Sequence, residues 1–170
     1  MMKHRNIPEE MKDLLSYDPE TGLLKWKIFR GGGAPRPGAI AGTPSKKGYI
    51  SILLRPHHFK AHRIAWFLHY GEQPGKKQID HINGDKADNR ICNLRLAAQP
   101  QNSANTGPRS NNKVGFKGVH YIGNRTNAYR AVLRTDGSNK HLGVFPTPEE
   151  ASAAYEAALK ATFGEFARVR

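Results

Sequence analysis

Apolar and polar residues alternate along Leu24-Lys25-Trp26-Lys27-Ile28, then through residues 48–54 and Phe59-Lys60-Ala61-His62. Successive side chains of an extended chain point to opposite faces, so this alternation predicts a strand and then a strand pair. Between them, residues 31–42 are rich in Gly and Pro and carry Arg36, the composition of an irregular loop. The period changes over residues 63–70, where Ile64, Phe67 and Leu68 recur at helical spacing until Gly71 and Pro74 end the helix. Ile79-Asp80-His81-Ile82 predicts another strand, Asn83-Gly84-Asp85 a turn, and residues 93–97 a returning strand. A short helix is predicted to start within residues 101–105.

Residues 106–113 contain no apolar side chain and are rich in Gly, Pro, Asn and Ser, which marks a linker. Beyond it, residues 116–121, 128–134 and 140–145 alternate as three short strands, with Asp136-Gly137 turning between the last two. Thr147-Pro148-Glu149-Glu150 then opens a helix as N-cap, first-turn proline and capping-box acid. Ala151, Ala154, Tyr155, Ala158 and Phe163 continue it at helical spacing to Gly164. The expected organisation is a domain over residues 1–105 with its core at about 77–105, a linker over 106–113 and a second domain over 114–170.

Composition narrows the function. An apolar content of 38% suits a globular chain, expected to be α+β from the strand and helix patterns above, and a mean hydropathy of −0.66 predicts no membrane span. Residues 1–12 lack the apolar stretch of a secretory signal. The single cysteine, Cys92, excludes an internal disulfide framework and a cysteine-rich zinc site, and beside Ile91 it is expected to be a small core residue. Charge is more telling: 27 basic residues stand against 14 acidic ones, a net +13. The excess lies on both sides of Ser110, with 18 basic and 9 acidic residues up to that point and 9 and 5 after it. Such a balance points to a polyanionic partner.

Residues 77–105 carry the candidate chemistry. Phosphodiester hydrolysis needs a base for the attacking water, and His81 titrates near neutral pH. It also needs a cation for the developing charge. A hard ion such as Mg²⁺ keeps several waters and takes oxygen ligands, which Asp80 and Asn102 can supply. Asn93 is a candidate partner to hold the His81 imidazole.

Tyr17-Asp18-Pro19-Glu20-Thr21-Gly22, His62-Arg63, Asp80-His81-Ile82-Asn83-Gly84, Asn89-Arg90, Asn93-Leu94-Arg95 and Asn102 stand in the order found in phage-type HNH endonucleases, which this chain resembles over about residues 16–105. The resemblance implies a ββα-metal fold holding one Mg²⁺ or Mn²⁺ per active site. It implies Asp80 and Asn102 as metal ligands, His81 as general base and Asn93 as the residue that orients it. His62 and Arg63 are expected to pack beside the site or touch a phosphate. Asp85 and Asp88 are expected to be turn residues.

Over residues 116–169, Gly118-Val119, Tyr129-Arg130-Ala131, Leu142-Gly143-Val144-Phe145, Tyr155 and Gly164 resemble the Apetala/ethylene-response-factor DNA-binding domain, which places a three-stranded sheet in the major groove and backs it with a helix. Alternation puts Tyr129, Ala131 and Leu133 on one face and Arg130, Val132 and Arg134 on the other. The second face is expected to meet DNA, with Lys117, His120, Arg125, Lys140 and His141 as companions and Arg36, His62 and Arg63 contributing from the first domain. Plant members carry a tryptophan near the place of His141, so their base preference does not transfer.

The expectation is a metal-dependent DNA endonuclease, nicking or cutting both strands, of the phage homing type. It would act on double-stranded DNA in the bacterial cytoplasm, with no membrane and no obligate protein partner. The rival is a DNA-binding regulator that has lost catalysis, which predicts a broken Asp80, His81 and Asn102 set; the set is whole. A ribonuclease fits less well, because a major-groove sheet suits B-form DNA.

Overall fold

The computed structural model describes residues 5–29, 35–123, 126, 128–135 and 137–168. Arg125, Asp136, residues 31–34 of the expected loop and the two ends lie outside the described residues. The chain divides into two compact units, Met1–Ala97 and Ala98–Arg170. No described helix is long and apolar enough to cross a membrane.

The first unit opens with a one-turn helix α1 (Met11–Leu14) and a short hairpin, β1 (Leu15–Tyr17) against β2 (Leu24–Trp26). An antiparallel sheet follows in the order β3 (Thr43–Pro44), β4 (Ile50–Leu54), β5 (His57–Lys60). Helix α2 (Ala61–Tyr70) comes next and ends on Gly71, whose φ of 74° suits a residue without Cβ. The unit closes on the antiparallel pair β6 (Gln78–His81) and β7 (Leu94–Ala97).

Helix α2 organises this unit because it is apolar on two sides. Ile64 and Phe67 join Met11, Leu15, Leu24, Ile52 and Phe59 in one core. Ala65 and Trp66 join Ile79 of β6 and Leu94 of β7 in another. Burying Phe67, 1% exposed, contributes roughly 1.5–3 kcal/mol. The same helix therefore fixes the position of the β6–β7 pair against the N-terminal sheet.

The second unit begins with helix α3 (Gln99–Ala104). Its sheet has the order β10-β9-β8, formed by Val119–Tyr121 (β8), Tyr129–Thr135 (β9) and Ser138–Phe145 (β10). The first strand starts at Val119 rather than near residue 116, because turns with positive φ at Gly115 and Gly118 occupy the preceding residues. Helix α4 (Pro148–Phe163) starts as its cap predicts: the Thr147 hydroxyl accepts from the Glu150 N–H at 3.2 Å. Such a cap is worth about 1 kcal/mol. Ala151, Tyr155 and Leu159 face Val119, Ala131 and Leu133 of the sheet. Gly118 lies so close to the Tyr155 ring that any Cβ there would collide with it. The chain is thus a mixed α/β protein built on small antiparallel sheets.

Candidate active site

Strand β6 ends in three consecutive buried residues, Ile79, Asp80 and His81. Register places Asp80 opposite Arg95 on β7. Directly opposed side chains on one face of an antiparallel pair are close enough to interact. Arg95 uses this: its Nε and Nη2 both donate to Asp80 Oδ2 at 2.9 Å. A buried carboxylate left alone would be costly, and this charge-assisted pair orients it.

His81 is 4% exposed and sits in an aromatic corner. Its ring meets His62, from the first turn of α2, edge to face at 5.0 Å, and lies 6.0 Å from the Tyr49 ring. Its Nε2 is 3.4 Å from Asn89 Oδ1. The Asn89 amide nitrogen donates to the Ala87 carbonyl at 3.0 Å, which turns the amide oxygen toward the ring. An amide oxygen only accepts, so this contact favours the Nε2–H tautomer. Burial pushes the imidazole below its ordinary pKa, opposed by the Asn89 contact and by the charges of Asp80, Asp85 and Asp88.

Asn93 leads into β7, and its amide is used on the loop between the two strands. Its Oδ1 accepts from the Asn83 N–H at 2.9 Å and its Nδ2 donates to the Asp88 carbonyl at 2.8 Å. The loop's own carboxylates reinforce it. Asp85 Oδ1 accepts from the Ala87 N–H at 2.9 Å. Asp88 takes the Asn83 amide at 2.8 Å and two Arg90 nitrogens at 2.9 and 2.6 Å. The Arg90 hydrogen bonds are the main cause of an Asp88 pKa lowered to about 2.

Asn89 is held in turn from the far end of the sequence. The Tyr17 hydroxyl donates to its carbonyl at 2.8 Å, and the Ile91 N–H donates to the Pro19 carbonyl at 3.1 Å. Burial raises the Tyr17 phenol above its ordinary pKa, so it stays a donor. Gly22, at φ 72°, lies against the backbone of Asn89 and Arg90.

Residue by residue, Asp80 and His81 lie on β6 and Asn93 in the single turn that leads into β7, all in the first unit, whereas Asn102 lies on α3 of the second. His62 and Arg63 are 4% and 5% exposed, and Arg36 is exposed. Sequence reasoning gave no task to Asn89, Tyr49 or Arg95. Only the opposed register of Asp80 and Arg95 was open to a sequence argument. Cys92, expected in the core, is exposed: in the single turn Ile91–Asn93 its neighbours Ile91 and Asn93 take the inward positions.

The donor set bears on which ion would fit. Among the described residues no three His, Cys, Asp or Glu side chains converge as a metal-binding group. Within the first unit the buried Asp80 carboxylate is an oxygen donor of the kind that suits a hard divalent ion retaining waters. A tetrahedral zinc site needs more.

In the second unit, Arg130 and Arg134 project from the outer face of β9 while Ala131 and Leu133 are buried behind them. His120 pairs with Arg130 and His141 with Val132, so both histidines share that face. Together with Arg109 and Asn139 these residues line a shallow concavity. Lys140 pairs with Leu133, on the opposite face by register. The Lys117 ammonium donates to the carbonyls of Ser103 and Ala104 at 2.8 and 2.7 Å, at the end of α3. Burial brings its pKa down to about 8.

Comparison with known proteins adds a family. Residues 59–104 match the family model described as HNH endonuclease. An uncharacterized HNH endonuclease of Acanthamoeba polyphaga mimivirus is 37% identical over 107 residues, covering 62% of this chain and 54% of that protein. A second from the same virus is 34% identical over 70 residues, 37% of this chain and 18% of that protein. The chain thus spans about half the length of the first and less than a fifth of the second. Protein 3.8 of Escherichia phage T7 is 28% identical over 125 residues, 74% of this chain and 99% of that protein. No solved structure matches significantly. Residues 59–104 are thus similar to the HNH endonuclease family, and the chain is similar to viral proteins described as HNH endonucleases.

Proposed function

We propose that this chain is a divalent-metal-dependent DNA endonuclease in which His81 draws the proton from the attacking water. The observation that carries this reading is the buried Asp80-His81 pair at the end of β6, its imidazole backed by Asn89 and its carboxylate by Arg95, inside the segment that matches the family.

In this reading His81 takes the water's proton at Nδ1, while Nε2–H stays on Asn89 and fixes the ring. Asp80 and Asn102 are the residues that would hold a Mg²⁺ or Mn²⁺ ion, through a carboxylate and an amide oxygen. When bound, that ion neutralises charge developing on the phosphate and the leaving oxygen. Arg95 keeps the Asp80 carboxylate in its rotamer. Asn93 acts through the loop it pins, because the same loop carries Asn89. The sheet face with His120, Arg130, Arg134 and His141 binds double-stranded DNA, in the manner expected of an Apetala/ethylene-response-factor domain. The enzyme would be of the phage homing type and act in the cytoplasm of a bacterial host.

The test is incubation with supercoiled plasmid, with and without Mg²⁺ or Mn²⁺, beside a His81→Ala variant. Nicking by the wild type should require the ion and fall about 10²–10⁴-fold in the variant, the usual worth of a positioned base. A wild type that cuts no DNA removes the enzyme reading. A variant that cuts equally well removes the assignment of His81.

A further inference from the structure

Beside the His81 imidazole lies a group of cations that the reaction described above does not use. The ring of Tyr49 is 5.3 Å from His62 and 6.0 Å from His81, centroid to centroid. Two ammonium groups reach it from different elements: Lys60, at the end of β5, is 4.2 Å from its centroid, and Lys86, in the β6–β7 loop, is 5.2 Å away. The Lys86 ammonium also donates to the Lys47 carbonyl at 3.2 Å, drawing a third lysine into the group.

Among the described residues, none of Lys47, Lys60 and Lys86 is paired with a carboxylate, while nearby Asp80 and Asp88 are taken by Arg95 and Arg90. Behind them Arg63 is 5% exposed, and its Nε has no hydrogen-bond partner among the described residues. Lys60 titrates below its ordinary value, through desolvation first and then through the like charges of Arg63, Lys47 and Lys86. The aromatic face offsets part of this repulsion and aims both ammonium groups at the same place. Like charges gathered without counter-ions favour an anion from outside, and here that anion would sit next to the imidazole.

We propose that Lys60 and Lys86, set over the ring of Tyr49, form a docking subsite for a backbone phosphate of the bound DNA strand, beside the phosphate that is cut. The placement beside the cut rests on the nuclease reading; the phosphate contact itself does not. Lysine holds phosphate as a point charge, without the fixed fork of arginine, so the subsite grips the backbone and reads no sequence.

The experiment is binding of a labelled DNA duplex by the full chain in chelator, followed by fluorescence anisotropy across a salt series, so that no cleavage is needed. Removing one phosphate-binding cation lowers the slope of log affinity against log salt by about 0.9. Lys60→Gln and Lys86→Gln should each show that reduction, and the double variant about twice as much. Lys12→Gln should not, because Lys12 is already paired with Glu9 at 2.7 Å. The melting temperature of the free protein should hold or rise in the lysine variants, since a repulsion has been removed.

A wild-type slope in the double variant overturns the subsite even if the protein cuts DNA. Inorganic phosphate raising the wild-type melting temperature as much as the duplex does would also overturn it, in favour of a free-anion site. A lowered slope in a protein that never cuts leaves the subsite standing and removes the nuclease reading alone.

Discussion

The Tyr17 hydroxyl donates to the main-chain carbonyl of Asn89 at 2.8 Å, across 72 residues of sequence. A residue in the N-terminal hairpin thereby holds the residue whose amide meets the His81 ring. Tyr17→Phe keeps the aromatic packing and deletes this bond. We expect a stability loss of about 1 kcal/mol in urea unfolding. Plasmid nicking should slow at a temperature where the variant is still fully folded. Unchanged nicking would detach Tyr17 from the site.

Gly22 supports the same segment through its lack of a side chain. A Cβ at this position would stand 2.5 Å from the Arg90 nitrogen and 2.6 Å from the Asn89 carbonyl carbon, at a φ of 72°. Both neighbours are main chain, so neither can rotate away. Gly22→Ala is expected to cost roughly 1–3 kcal/mol through backbone strain, read as a lower melting temperature. Gly71→Ala is the comparison, because open space surrounds its Cβ at a similar φ; it should cost less.

Asp88 sets an acid limit on the loop. Its pKa is lowered to about 2 in the fold from an ordinary 3.8, chiefly by Arg90. A carboxyl with a depressed folded pKa stabilises the protein above its unfolded value and loses that contribution as pH falls through the folded one. Asp88→Asn should therefore melt below the wild type at pH 7. The gap should narrow as pH falls from 3.8 toward about 2. A constant gap across that window would place the effect elsewhere.

For the sheet face of the second unit, Arg130→Ala and Arg134→Ala remove exposed cations that pack against nothing in the core. Each should weaken duplex binding and lower the salt slope by about one, with the melting temperature unchanged. His81→Ala should bind DNA as the wild type does, so that cutting and holding separate. Equal binding by both arginine variants would assign DNA contact to another face.

The parts of this chain that were legible in the sequence are those fixed by local chemistry. Thr147 caps α4 because its hydroxyl sits three residues before a free N–H, and Arg130 and Ala131 part to opposite faces because a strand has period two. Asp80 and His81 could be singled out because few side chains suit that chemistry. The missing pieces depend on distance in the chain. Helix α1 is a single turn with no period to detect. Nothing near Asn89 announces that its amide will meet an imidazole eight residues earlier. Lys117 resembles any surface lysine until the end of α3 is set beside it.

The clamp between residues 17–22 and the β6–β7 loop has a consequence for inheritance. The stretch that matches the family begins at residue 59, yet the tyrosine and glycine that support Asn89 lie well before it. A recombination breakpoint between residues 22 and 59 would hand the new host an acid and an imidazole without the backbone support behind them. The Asp80-His81 segment keeps its backbone support only when the first hairpin is inherited with it.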